Sequence, residues 1–252
     1  MKKELCSKKS GFSLIELAIV LIIIGLLIAG VTGGAALIKS AELRAVVTEA
    51  RSNSISASAF FSLYDSLPGD SNSYTAYLGG AVGNQDGKIE FCRTGTCATT
   101  VTSGATAYTS EGGALAWGHL TNAGIVSIPG FTQPTSGDHG SQALGSAPSF
   151  LPSKIKQSGW MFDYDSTNTP NANISILTGT GVLGANLEAA TDYTILLAND
   201  AYSIDLKNDD GKPTTGSIRG AGNATSCIAS GAYVVATATK TCTVYFVLDV
   251  GN

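Results

Sequence analysis

The chain has 252 residues, 15 Lys+Arg against 19 Asp+Glu for a net charge of −4, and 44% apolar residues. Charged residues are only 13%, half the usual ~25%, and glycine is abundant at 30. These values exclude an acidic disordered chain, a nucleic-acid binder that works through a basic field and, with a single long apolar run, a polytopic membrane protein.

The amino terminus carries most of the information. Lys2, Lys3, Lys8 and Lys9 precede an apolar stretch over 12–31 that contains one charge, Glu16. Such a stretch is about 20 residues long and spans roughly 30 Å as a helix, the thickness of a bilayer core. The lysines mark the cytoplasmic side, so the rest of the chain is expected to face away from the cytosol. An acid in a membrane helix costs roughly 2.5–3.5 kcal/mol at the centre and less near an end, so Glu16 calls for a partner. A cut after Gly11 would create one, because the new amino group of Phe12 is a cation with a pKa of about 8.

The residues Gly11-Phe12-Ser13-Leu14-Ile15-Glu16-Leu17 resemble the cleavage and methylation site of type IV prepilins and type II secretion pseudopilins. The resemblance implies that a prepilin peptidase removes the leader 1–11 after Gly11 and methylates Phe12. It also implies that Glu16 guides ordered addition of the subunit to a filament. The implied partners are copies of the chain or other pilins, the peptidase, an inner-membrane assembly platform and the inner membrane, with no nucleic acid. The implied location is the bacterial inner membrane, single-pass with a periplasmic head, and then an extracellular or periplasmic filament. A competing reading is a secretory signal with its apolar region at 17–28 and a small-residue cut near Gly33, Gly34 or Ala35. Against it, Glu16 would intrude at the head of that region, and the apolar pattern runs on past the cut. Major pilins usually carry a proline in this stretch. There is none here, which leaves a pseudopilin or minor pilin open.

Helical spacing continues through Ala36, Leu37, Ala41, Leu43, Val46, Val47, Ala50 and Ile55, with Lys39, Glu42, Arg44, Glu49 and Arg51 on the other side. A helix is therefore expected from 12 to about 64, halted by Pro68 and Gly69. Gly25, Gly30, Gly33 and Gly34 each weaken it by about 1 kcal/mol relative to alanine, or let helices approach closely in lipid.

Beyond 67 the sequence reads as loops and short strands. Runs at 174–177, 193–197, 202–206 and 244–250 are expected strands, the third on the alternation of Ser203-Ile204-Asp205-Leu206-Lys207. Asn208-Asp209-Asp210-Gly211 signals a turn, and a short helix is expected over 111–123, ended by Gly124. The expected fold is α+β: a long N-terminal helix, transmembrane in its first half, packed on a C-terminal antiparallel sheet. The expected organisation is a leader 1–11, a helix 12–66 with its span at 12–31, and an exported head 67–252. Leu67-Pro68-Gly69-Asp70, Gly83-Asn84-Gln85-Asp86-Gly87, Ala116-Trp117-Gly118-His119-Leu120 and the stretch from Ile204 to Pro213 also look like a subgroup of prepilin-type proteins with larger heads.

Four cysteines follow the leader. In an exported chain they favour disulfides. Cys92–Cys97 with Cys227–Cys242 is the simplest of three connectivities, and zinc is disfavoured by the lack of a CxxC pair. Asp70, Asn84, Asp86 and Glu90 are the candidate oxygen ligands of a structural Ca²⁺, of the kind some pseudopilins hold. The EF-hand register fails, because Val82 and Arg93 stand where acids belong, and a turn with Gly87 at positive φ is the rival. No cofactor is required by this reading. Gly179-Thr180-Gly181-Val182-Leu183-Gly184 fits GxGxxG but lacks a βαβ setting. Ser153-Lys154-Ile155-Lys156 fits SxxK but lacks its companion motifs. His119, Trp117 and Trp160 read as packing residues. No GxSxG, HExxH or P-loop occurs, so the chain is expected not to be an enzyme. The alternative function is a periplasmic binding module or hydrolase on a retained single-span anchor.

Overall fold

The computed structural model describes residues 13–72, 83–89, 101–103, 106–108, 114–129, 151–156, 158–165, 171–179, 194–223 and 225–250. The chain divides into two compact units, the first ending at Glu42 and the second beginning at Leu43.

Helix α1 is Leu14–Tyr64. Its start is set by Ser13, whose carbonyl accepts the first helical bond from Leu17 N–H and whose own N–H is bound by Glu16. Its end comes at Asp65, which turns left-handed at φ 51° while still donating to Phe61 O. Pro68 therefore reinforces a stop already made. The helix runs unbroken through Gly25, Gly30, Gly33 and Gly34. Among the described residues it is the one helix long and apolar enough to cross a membrane. Leu14, Leu17, Leu21, Leu26 and Val31 are all exposed in the isolated chain. From Val46 on the pattern changes, and Val46, Val47, Ala50, Asn53, Ala57 and Phe60 are buried. Their three- and four-residue spacing puts them on one face. The second part of α1 is thus a core element of the head, which is why the compact unit begins inside the helix.

The head's main sheet is antiparallel. Strands β3 (Leu151–Pro152), β4 (Ser158–Asp165), β5 (Ala172–Gly179), β10 (Lys240–Val247) and β6 (Leu196–Leu197) follow in that order, and β7 (Ile218–Gly222) also pairs with β10. The pairs Trp160↔Leu177, Phe162↔Ser175, Ser175↔Phe246 and Ile218↔Phe246 fix the register. Partners across a ladder share a face, so Trp160, Phe162, Ser175 and Phe246 line the face that meets α1. Met161, Ile176, Tyr245 and Arg219 line the other, and they are buried too. Burial on both faces gives β4 a near-continuous rather than alternating pattern. Two further hairpins are β1 (Val101–Ser103) with β2 (Thr106–Tyr108), and β8 (Ile228–Ala229) with β9 (Ala232–Tyr233).

Polar bonds fasten α1 to the sheet. Glu49 accepts Trp160 Nε1–H at 2.8 Å, Ser153 Oγ–H at 2.6 Å and Lys154 N–H at 2.9 Å. Asn53 donates to Ser175 Oγ at 3.0 Å in the buried interface. Helix α2 (Ala114–Asn122) packs beside them. Its Trp117 donates to Trp160 O at 2.8 Å and its ring lies 4.7 Å from Phe162. Gly124, at φ 72°, turns the chain back so that Ile125 and Val126 bond to Leu120 O. This is the glycine helix stop that the sequence indicated.

Long helix followed by antiparallel sheet is the expected α+β architecture. One expected strand is wrong. Residues 202–206 lie in helix α3, Ala198–Asn208. The alternation of Ser203 to Lys207 is also compatible with helical spacing, and tertiary burial decides between them. Ala198, Ala201, Ile204 and Asp205 are buried on one face, while Leu206, which a strand would have put inside with Ile204, is 52% exposed. Asp200 in the first turn and Lys207 in the last complement the helix dipole. The expected strand 193–197 shrinks to β6, and Tyr193 lies outside the described residues.

Candidate functional site

Glu16 stands at the third helical position of α1, and its Oε2 accepts Ser13 N–H at 2.8 Å. This is one half of a capping box, in which an acid reaches back to satisfy a helix-start amide. In the uncut chain the nitrogen of Phe12 belongs to a peptide bond and carries no charge. The donor Glu16 finds is therefore a backbone amide at the positive end of the helix dipole. Gly11 and Phe12, the expected processing residues, lie outside the described residues.

Residues 6–32 match the family model of the prokaryotic N-terminal methylation motif. The chain carries a prokaryotic N-terminal methylation motif. The match covers Lys8, Lys9, Gly11, Phe12, Glu16 and the apolar run, and it is consistent with a type IV prepilin or pseudopilin precursor. No curated protein matches the chain. No solved structure matches it either. The motif family is structural rather than catalytic in general, and the apolar first half of α1 is consistent with a membrane anchor.

In the head, Cys227 and Cys242 form a disulfide, with Cα atoms 5.1 Å apart and a sequence separation of 15. It ties the turn before β8 to β10. Of the expected cysteine pairs this one is present; Cys92 and Cys97 lie outside the described residues. Closing a loop of this length stabilises by about 3 kcal/mol in the chain-entropy model. The double variant Cys227→Ser/Cys242→Ser is expected to lose about that much in urea denaturation, with the reduced wild-type chain matching it.

Asp70, Asn84 and Asp86 come together, while Glu90 lies outside the described residues. Asp70 Oδ1 accepts Asp86 N–H and Oδ2 accepts Gly87 N–H, both at 3.0 Å. Asn84 Oδ1 accepts the same Asp86 N–H, and Asp86 Oδ1 accepts Lys88 N–H. Gly87 has the expected positive φ, 82°. Burial pushes the Asp70 carboxyl up, and its amide donors pull part of the way back. As folded, these oxygens accept backbone N–H groups of the turn over 86–88. Asn173 extends the clasp into the sheet, accepting Ile89 N–H at 2.8 Å and donating to Gly87 O.

The SxxK serine, Ser153, is spent on Glu49. His119 is a packing residue as expected, stacked on Phe60 at 5.6 Å and accepting Gly69 N–H through Nδ1. Trp117 and Trp160 are fully buried. Of the GxGxxG residues only Gly179 is described, at the end of β5.

Two polar clusters, the first buried and the second running from buried Asp205 to exposed Asp210, carry no site motif in the sequence. On the sheet face away from α1, Arg219 Nη1 lies 3.1 Å from Asp165 Oδ2, both side chains at most 5% exposed. Tyr245 donates its hydroxyl to the same oxygen, and Arg219 Nε donates to Gly216 O. Burial pushes the Tyr245 phenol up, and the Asp165 charge pushes it further. The second cluster surrounds Asp205, Asp209 and Asp210, where α3 ends. Asp209 accepts Ile218 N–H, and Asp210 accepts Lys212 N–H and the Thr215 hydroxyl. Those donors hold the exposed Asp210 carboxyl below the usual range. Gly211 has φ 72°, as the expected turn requires. These carboxylates tie the turn to β7.

Proposed function

We propose that this chain is the precursor of a filament subunit, a pilin or pseudopilin, of a type IV pilus or a type II secretion pseudopilus. The leader 1–11 is removed after Gly11 by prepilin peptidase, Phe12 is N-methylated, and 12–31 holds the subunit in the inner membrane with 67–252 exported. Assembly then draws the apolar helix out of lipid and packs it against copies of itself or other pilins. The observation that carries this reading is the methylation motif over residues 6–32, placed directly on a helix whose first half is apolar and exposed and whose second half is built into a folded head. A carboxylate costs free energy in lipid, and the charged Phe12 amine made by cleavage is the partner that relieves it during assembly.

Mass analysis of the N-terminus of the purified chain tests the reading. A start at N-methylated Phe12 is the expected result. An intact Met1 points to a retained anchor, and a start near Ala35 to ordinary secretion; either overturns the proposal. Gly11→Val should leave the leader attached, because a branched side chain replaces the hydrogen beside the scissile bond. Finding N-methylated Phe12 in that variant would remove Gly11 from the site. Surface filaments in electron micrographs, against export of secreted enzymes in a deletion strain, separate pilus from pseudopilus.

A further inference from the structure

Asp205 is a fully buried carboxylate that joins α3 to the hairpin β8–β9. Its Oδ2 accepts the Tyr233 hydroxyl at 2.9 Å and its Oδ1 accepts Gly211 N–H at 2.9 Å. Tyr233 is held in place from two sides. Its ring is 6.0 Å from that of Tyr202, and it lies on Gly220 of β7, where an added Cβ would come within 2.7 Å of it. The hairpin also sits inside the loop closed by Cys227–Cys242, so Tyr233 is its polar connection to α3.

The charges around Asp205 do not compensate it. From the turn that follows α3, Asp209 and Asp210 face it with like charge. From β9 the facing group is the Tyr233 phenol. On β7 and β10, Arg219 and Tyr245 are engaged with Asp165, and Lys240 is exposed. Strand β6 offers Leu196 and Leu197, and β8 offers Ile228 and Ala229, none of which titrates. Lys207 and Lys212 are exposed, and neither makes an ion pair with Asp205 among the described residues.

We propose that Asp205 is a pH-responsive latch: while its buried carboxyl is neutral the β8–β9 hairpin stays closed on α3, and its ionisation favours opening of the hairpin. A buried carboxylate with two hydrogen bonds and, among the described residues, no paired cation is poorly solvated, whereas opening gives it water. Burial, with the repulsion of Asp210 and Asp209, raises the carboxyl to about 6, against the pull of Tyr233 and Gly211. The folded value lies above the ordinary 3.8, so the stabilisation is complete below about 3.8 and is lost as pH rises through about 6. Between pH 5 and 7.5 the opening constant should grow about tenfold.

Hydrogen–deuterium exchange of the segment 228–234, in the full chain in detergent micelles and corrected for intrinsic rates, reads this directly. The wild-type chain should open about tenfold more at pH 7.5 than at pH 5, and Asp205→Asn should open equally at both. A wild-type ratio under about twofold, or an equal slope in Asp205→Asn, overturns the proposal. Should Asp205→Asn fail to fold, Tyr233→Phe decides. It removes a donor that favours the charged form, so the step should move to higher pH. An unmoved midpoint overturns the latch.

Discussion

A Glu16→Val chain is expected to insert and be cut normally, yet to enter filaments at least about tenfold less than wild type, the effect of losing one contact worth about 1.4 kcal/mol. Valine suits the bilayer better than glutamate does, so insertion should not suffer. What disappears is the only charge within the apolar run over 12–31, and with it the counter-charge proposed for the Phe12 amine. Glu16 also accepts Ser13 N–H, so the valine variant removes a helix cap as well, worth roughly 0.5–2 kcal/mol. Glu16→Gln separates the two roles. Its amide oxygen still accepts the Ser13 N–H, but it carries no charge. If pairing with the cut terminus drives assembly, glutamine should be as defective as valine in a pull-out assay of sheared filaments. If glutamine assembles like glutamate, the cap is the operative contact and the charge argument is wrong.

The second large effect concerns the buried ion pair of the head. Arg219→Met should cost about 3–5 kcal/mol, because it removes the cation that pairs with the buried Asp165 carboxylate. For a head of this size that lowers the melting temperature by roughly 6–20 °C. The double variant Arg219→Met/Asp165→Leu should recover most of the loss, since a well-packed apolar pair avoids the desolvation of two ions. Calorimetry of both variants checks this. A single variant as stable as wild type would mean that Asp165 reaches water or another cation. A double variant no better than the single would mean that the site cannot repack.

Some of this protein was legible residue by residue. The long helix followed from apolar periodicity, and its change from an apolar first half to an amphipathic second half followed from the charges that begin at Lys39. Gly124, Gly87 and Gly211 lie at the turns their neighbours indicated, and the Cys227–Cys242 bridge followed from local pairing. Glu49 was placed with the exposed charges of α1, yet it binds three donors from the β3–β4 region. Nothing local marks it, because Ser153, Lys154 and Trp160 reach it only after the sheet has folded onto the helix. The segment 202–206 failed for a related reason. Alternation over five residues fits either period, and the choice fell to which side chains the sheet could cover.

Sequence by itself determined the membrane-length helix, the methylation motif and the α+β plan. These rest on composition, on spacing along one chain and on the short-range stereochemistry of caps and turns. Tertiary structure alone decided which carboxylates matter. Asp165, Asp205 and Glu49 look like any other acids along the chain. They become a buried ion pair, a latch and a helix anchor because desolvation and hydrogen bonding depend on what distant strands bring beside them.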